Sequence, residues 1–129
     1  MKRSRHIFPL LILLLALPCI AEPLDLSKRE SLSPKEAASL EQEVVYLDVR
    51  SNLEWLSGHV EGAIHVPYNK VARDFASIFP DRSIPIIPYC AVGGRAQIVV
   101  DALREQGYTV VPVTNGGYRE LISNGLKYD

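Results

Sequence analysis

One alternation, repeated four times, limits what this chain can fold into: a short run of β-branched or aromatic residues, then a stretch whose apolar residues recur at helical spacing. Residues 44–47 end at Asp48 and precede one helical turn over 52–57 that stops at Gly58. Residues 63–66 form a second run closed by Pro67, after which Val71, Phe75, Ile78 and Phe79 mark one face of a helix that Pro80 ends. Residues 84–89 lead to Cys90, and Ala96, Val99, Val100 and Leu103 then predict a helix closed by Gly107. Residues 109–113 make a fourth run, and Asn115-Gly116-Gly117 turns into a last short helix through Tyr118, Leu121 and Ile122. Strands alternating with helices imply an α/β fold with a mostly parallel central sheet of four to five strands and helices on both faces.

Ahead of this pattern, Ser33-Pro34-Lys35-Glu36 joins a capping-box pair to a proline at the first helical position, so a short helix starts there. Residues 22–31 are polar with little apolar spacing and are expected to be a linker or N-terminal arm. The first 21 residues form a basic head (Lys2, Arg3, Arg5) and an apolar core over 7–17, ending in Pro18-Cys19-Ile20-Ala21. These are the parts of a secretory signal peptide, with small Cys19 and Ala21 at the −3 and −1 positions of a cut after Ala21. The core is shorter than the roughly 20 residues that span a bilayer, so no stable membrane anchor is expected after cleavage. An uncleaved anchor, or lipid attachment at Cys19, is the weaker alternative. The expected location is periplasmic or otherwise exported, and residues 32–129 form the one folded domain.

Charge removes other classes. With 14 Lys+Arg against 15 Asp+Glu and no basic stretch beyond the first five residues, the footprint of a nucleic-acid binder is missing. Two cysteines and three histidines show no zinc-ligand spacing, so no metal is expected. Loss of Cys19 with the signal leaves Cys90 as an unpaired thiol in an oxidising compartment, which calls for a function.

Cys90-Ala91-Val92-Gly93-Gly94-Arg95 lies between a buried run and an amphipathic helix, where the carboxyl ends of parallel strands face a common crevice. Two glycines let the backbone curl so that successive N–H groups converge, the helix start adds partial positive charge, and Arg95 adds a bidentate fork. All three favour a thiolate, and the same cradle suits a terminal sulfur anion or the oxygens of an oxoanion. Nucleophilic sulfur chemistry is the indicated use. The competing possibility, that Cys90 is a small buried core residue, is outweighed by its strand-to-helix position.

These residues resemble the rhodanese-like sulfurtransferases. The resemblance runs from Ser33 to Leu121 through Leu47-Asp48-Val49-Arg50, Glu54, the box from Gly58-His59 to Val66-Pro67, Tyr89-Cys90 through Arg95, and Gly116-Gly117-Tyr118. It is closest in type to small exported single-domain members, similar to the periplasmic phage-shock sulfurtransferases. It implies the three-layer rhodanese-like fold and a ping-pong reaction: Cys90 takes the outer sulfur of thiosulfate as a persulfide and yields it to cyanide or a thiol. Arg95 would help bind the anionic donor, and the backbone N–H groups of Ala91, Val92, Gly93, Gly94 and Arg95 would hold the persulfide. No metal or organic cofactor is implied. The partners expected are a small-molecule sulfur donor and a thiophilic acceptor, with a thiol protein as a further candidate. Related phosphatase and arsenate reductase branches carry five residues between cysteine and arginine; four here suit a single sulfur atom.

Other residues receive structural roles: Asp48 and Arg50 brace the fold, His59 fixes a turn, and His65 points off a strand. Tyr118 lines the pocket or packs in its helix. Pro88, with Pro85 before it, conflicts with a central strand, and a bulge just before the loop would accommodate it. The uncharged Ala91-Val92 tip leaves an alternative open, a sulfur carrier or binding module loaded by a protein partner with little turnover of free thiosulfate.

Overall fold

The computed structural model describes residues 16–17, 25–40 and 43–129. Apart from Ala16 and Leu17, the expected signal peptide and its cleavage site lie outside the described residues. Five strands, β1 (Ser31–Leu32), β2 (Val45–Asp48), β3 (Ile64–His65), β4 (Ile86–Tyr89) and β5 (Val113–Thr114), alternate with five helices. The helices are α1 (Pro34–Ala38), α2 (Asn52–Leu56), α3 (Val71–Ile78), α4 (Gly94–Glu105) and α5 (Tyr118–Ser123). Both α1 and α2 begin with a full capping box, Ser33 with Glu36 and Ser51 with Glu54.

All strand pairs are parallel, in a three-stranded sheet of order β3-β2-β4 and a two-stranded sheet of β1 and β5. One backbone bond, from Ile86 N–H to the Val110 carbonyl at 3.0 Å, ties β4 to the segment that leads into β5. The gap has a covalent cause. Carbonyls of Pro85 and Tyr89 face β2, where they accept from Val45 and Val49 at 2.9 and 3.0 Å. Ile86 faces the other way, and with a period of two so does Pro88, opposite a segment that passes through Pro112. Neither proline has an N–H to offer, so the ladder stops after one rung. The strand expected over 109–113 is therefore reduced to Val113–Thr114. The bulge expected before Cys90 is absent: register runs unbroken from Val45↔Ile86 to Asp48↔Tyr89, because the Pro88 nitrogen is turned away from β2.

Alternation along β2 sorts the core into two layers. Leu47 and Val49 pack with Val71, Phe75, Val99 and Leu103 from α3 and α4, while Tyr46 packs with Ala37 and Leu121 from α1 and α5. Helices thus cover both faces. Of the α3 stripe, Val71 and Phe75 are buried, but Ile78 is half-exposed because the helix ends there and Phe79 turns out of helical geometry to reach the core. The described part of the arm, residues 25–31, is held to the domain. Arg29 pairs with Glu36 at 2.8 Å, and Ser31 pairs with Val113 across β1 and β5.

At the carboxyl end of β2 the buried Asp48 grips Arg50 through both carboxylate oxygens, the shortest bond being 2.7 Å. Arg50 also donates to the Gly58 carbonyl at 2.6 Å and lies 4.2 Å from the centre of the Tyr118 ring. One guanidinium therefore ties β2 to the turn after α2 and to α5, the bracing role expected of it. Removing one partner leaves a buried charge unpaired. Asp48→Ala is expected to lower unfolding free energy by about 3–5 kcal/mol, and Asp48→Ala with Arg50→Met by clearly less. Urea denaturation of both variants checks this.

Candidate active site

Cys90 follows the last residue of β4, and α4 begins four residues later at Gly94. So short a turn needs a backbone excursion that only glycine makes easily, and Gly93 supplies it with φ +108°. The turn brings the Gly93 N–H back onto Cys90 Sγ at 2.9 Å and sets the start of a 12-residue helix beside the sulfur. Both place positive potential where a sulfur anion forms.

The opposite wall is the start of α5. Tyr118 N–H donates to the Cys90 carbonyl at 2.8 Å. At Gly117 an added Cβ would lie 2.0 Å from the Ala91 carbonyl oxygen and 2.7 Å from that of Cys90. Nothing larger than glycine fits, although the backbone there is ordinary extended chain. In the sequence Gly117 is part of the Gly116-Gly117-Tyr118 motif, and the only local signal of this close contact is a glycine pair before a helix.

Cys90 is 1% exposed and closed over among core residues, with Gly117 packed directly against the Cys90–Ala91 peptide. Of the loop amides from Ala91 to Arg95, only that of Gly93 meets Sγ among the described residues; Val92 stands out in solvent. Arg95 is not a free fork. Its two terminal nitrogens are taken by Glu54 in a bidentate pair at 2.7 and 2.9 Å. Glu54 reaches it because the Ser51 cap fixes its carboxylate at the head of α2. That partner lies 41 residues away, so the pair could not be read from the loop alone. With Arg95 hydrogen-bonded to it and the Ser51 N–H behind it, the Glu54 carboxyl falls to about 2.

Arg95 also lines a cleft of about 330 Å³ with Ser51, Asn52, Pro67, Tyr68, Asn69 and Lys70, at the carboxyl ends of β2 and β3. His59 and His65 sandwich Trp55, with ring centres 3.5 and 4.8 Å away. Their ring nitrogens bond to the carbonyls of Trp55 and Arg50, which suits turn-fixing and not proton transfer to Cys90. Tyr118 packs on Arg50 and Tyr89.

A thiol at this strand-to-helix turn within a three-layer α/β domain defines a class, and comparison with known proteins agrees. Residues 33–124 match the family described as Rhodanese-like domain, and the chain belongs to it. It is 32% identical over 82 residues to thiosulfate sulfurtransferase PspE of Escherichia coli, covering 64% of this chain and 78% of that protein. It is also 34% identical over 125 residues to tRNA uridine(34) hydroxylase of Chlamydia muridarum, but spans only 36% of that protein. Among solved structures, a rhodanese with anions from E. coli superposes with TM-score 0.59 at 28% identity, over 66% of this chain and 95% of that one. A rhodanese-related protein of Thermoplasma volcanium gives TM-score 0.69 at 22% identity, over 78% and 97%, which shows the shared fold.

Gly117→Ala is expected to destabilise the domain by about 3 kcal/mol and to speed alkylation of Cys90 by displacing the loop; melting and thiol-labelling rates check both effects. The lowered Glu54 value gives a second test. Its stabilising contribution is fully present above the unfolded glutamate range near 4.5 and is lost as pH falls through about 2. Discounted for its partial exposure, the contribution is about 1 kcal/mol, and Glu54→Gln should flatten the acid limb of stability measured by urea midpoints by that amount.

Proposed function

We propose that the protein is a sulfurtransferase that moves sulfane sulfur from thiosulfate, or a donor of the same kind, through a Cys90 persulfide to cyanide or a thiol acceptor. The observation that carries this is the Gly93 N–H on Cys90 Sγ at 2.9 Å, at the turn from β4 into α4. A donor aimed at the sulfur stabilises its anion and needs no separate base.

In the first half-reaction the Cys90 thiolate attacks the outer sulfur of thiosulfate. An S–S bond to Sγ forms, the donor S–S bond breaks, and sulfite leaves with the bonding pair. In the second, the acceptor attacks the terminal sulfur, the new S–S bond breaks, and the thiolate returns; cyanide departs as thiocyanate. Charge balances in both steps with no outside oxidant, metal or organic cofactor. The persulfide adds one atom beyond Sγ, so the closed loop must relax outward, and the amides of Ala91, Val92, Gly94 and Arg95 belong to the same short turn that would receive it.

Named relatives support the donor. Besides PspE, the chain is 37% identical over 91 residues to thiosulfate sulfurtransferase 16 of Arabidopsis thaliana, covering 63% of this chain and 76% of that protein. The basic head and apolar core of the first 21 residues support work in the periplasm or an equivalent exported setting, where a thiol protein is a fitting acceptor. The closed thiol and the committed Arg95 favour a second reading, a carrier loaded by a protein partner with little use of free thiosulfate.

Incubation of the protein with thiosulfate and cyanide is expected to yield thiocyanate, with Cys90→Ser at background. Wild type no faster than Cys90→Ser removes the thiosulfate reading; sulfur gained on Cys90 from a protein donor under the same conditions then selects the carrier.

A further inference from the structure

Arg95 is the one cation between Cys90 and the first turn of α4, two residues beyond the Gly93 N–H that bonds Cys90 Sγ. That charge is already answered. Glu54 holds both terminal nitrogens of Arg95, at 2.7 and 2.9 Å, and its carboxylate is fixed on a third side by Ser51. Glu54 thus sets a carboxylate, from the first turn of α2, against the cation of the loop, and Lys70 lines the adjoining cleft together with Arg95.

A donor meets this field in proportion to its own charge. Thiosulfate carries two negative charges, whereas a thiosulfonate has the same outer sulfur and carries one. The repulsion from one fixed carboxylate is thus about twice as large for the first as for the second, and partly buried charges are incompletely screened. We propose that Glu54 is a specificity-determining residue, whose carboxylate occupies Arg95 and tunes the site toward sulfur donors of single negative charge and against dianions. This rests on the sulfurtransferase reading and deepens it. With the monoanion the chemistry is unchanged: the Cys90 thiolate takes the outer sulfur, the donor S–S bond breaks, and the sulfinate leaves with the bonding pair, so charge and electrons balance as with sulfite.

Substitution can separate charge from architecture here, because glutamine at the third helical position still completes a capping box with Ser51. The experiment compares kcat/KM for thiosulfate and methanethiosulfonate in wild type, Glu54→Gln, Glu54→Asp and Arg95→Gln. Glu54→Gln is expected to raise the thiosulfate value about tenfold, through KM, and the methanethiosulfonate value about threefold, with the difference shrinking in molar salt. Glu54→Asp, which keeps the charge, should hold the wild-type donor ratio to within about twofold. Arg95→Gln, which leaves the carboxylate unopposed, should move the ratio against thiosulfate by about threefold or more, and decides the matter if the glutamine variant does not fold. Equal changes for both donors, or a fall in both, overturn the role of Glu54 while leaving the sulfurtransferase reading intact. Wild type that transfers sulfur from neither donor overturns that reading instead.

Discussion

The hydrogen bond from the Gly93 N–H to Cys90 Sγ is where fold and chemistry meet. It exists because β4 ends one residue before the thiol, α4 starts at the next glycine, and Gly93 adopts a left-handed backbone in between. The parallel sheet aims Cys90 at its carboxyl edge, and the packed core beneath keeps it there. Gly117 closes the other side with its bare backbone against the Cys90–Ala91 peptide. A sulfur atom held in this way has, among the described residues, one donated hydrogen bond, a helix start beside it and little free space.

Two arginine–carboxylate pairs flank the site and differ in burial. Asp48 and Arg50 are inside the protein, so their pairing is a condition of folding, and Arg50 spreads that constraint to Gly58 and Tyr118. Glu54 and Arg95 are about one-third exposed, so their pairing contributes little to stability and instead sets the local charge near the thiol. Identical chemistry thus supports architecture in one place and selectivity in the other.

The sequence made the layered α/β fold legible because its strands and helices announce themselves by period, and because both capping boxes are local. Cys90 and its glycines were legible for the same reason: their geometry is written within six consecutive residues. What escaped was set by contacts distant in the chain or by missing groups. The Arg95–Glu54 pair is not legible in the loop because Glu54 comes from another helix, nor is the closing of the thiol, because Gly117 packs on the Cys90–Ala91 peptide from the start of α5. Pro88 does disturb the sheet, but not by a bulge. The strand stays regular, and the cost falls on its link to β5, where Pro112 has no N–H either.

The most direct test is the mass of the peptide containing Cys90 after exposure of the folded protein to thiosulfate alone, before and after cyanide is added. The account predicts a gain of one sulfur atom, released as sulfite accumulates and reversed by cyanide. A thiol that stays unmodified while the protein remains folded, or a modification that cyanide does not remove, contradicts it.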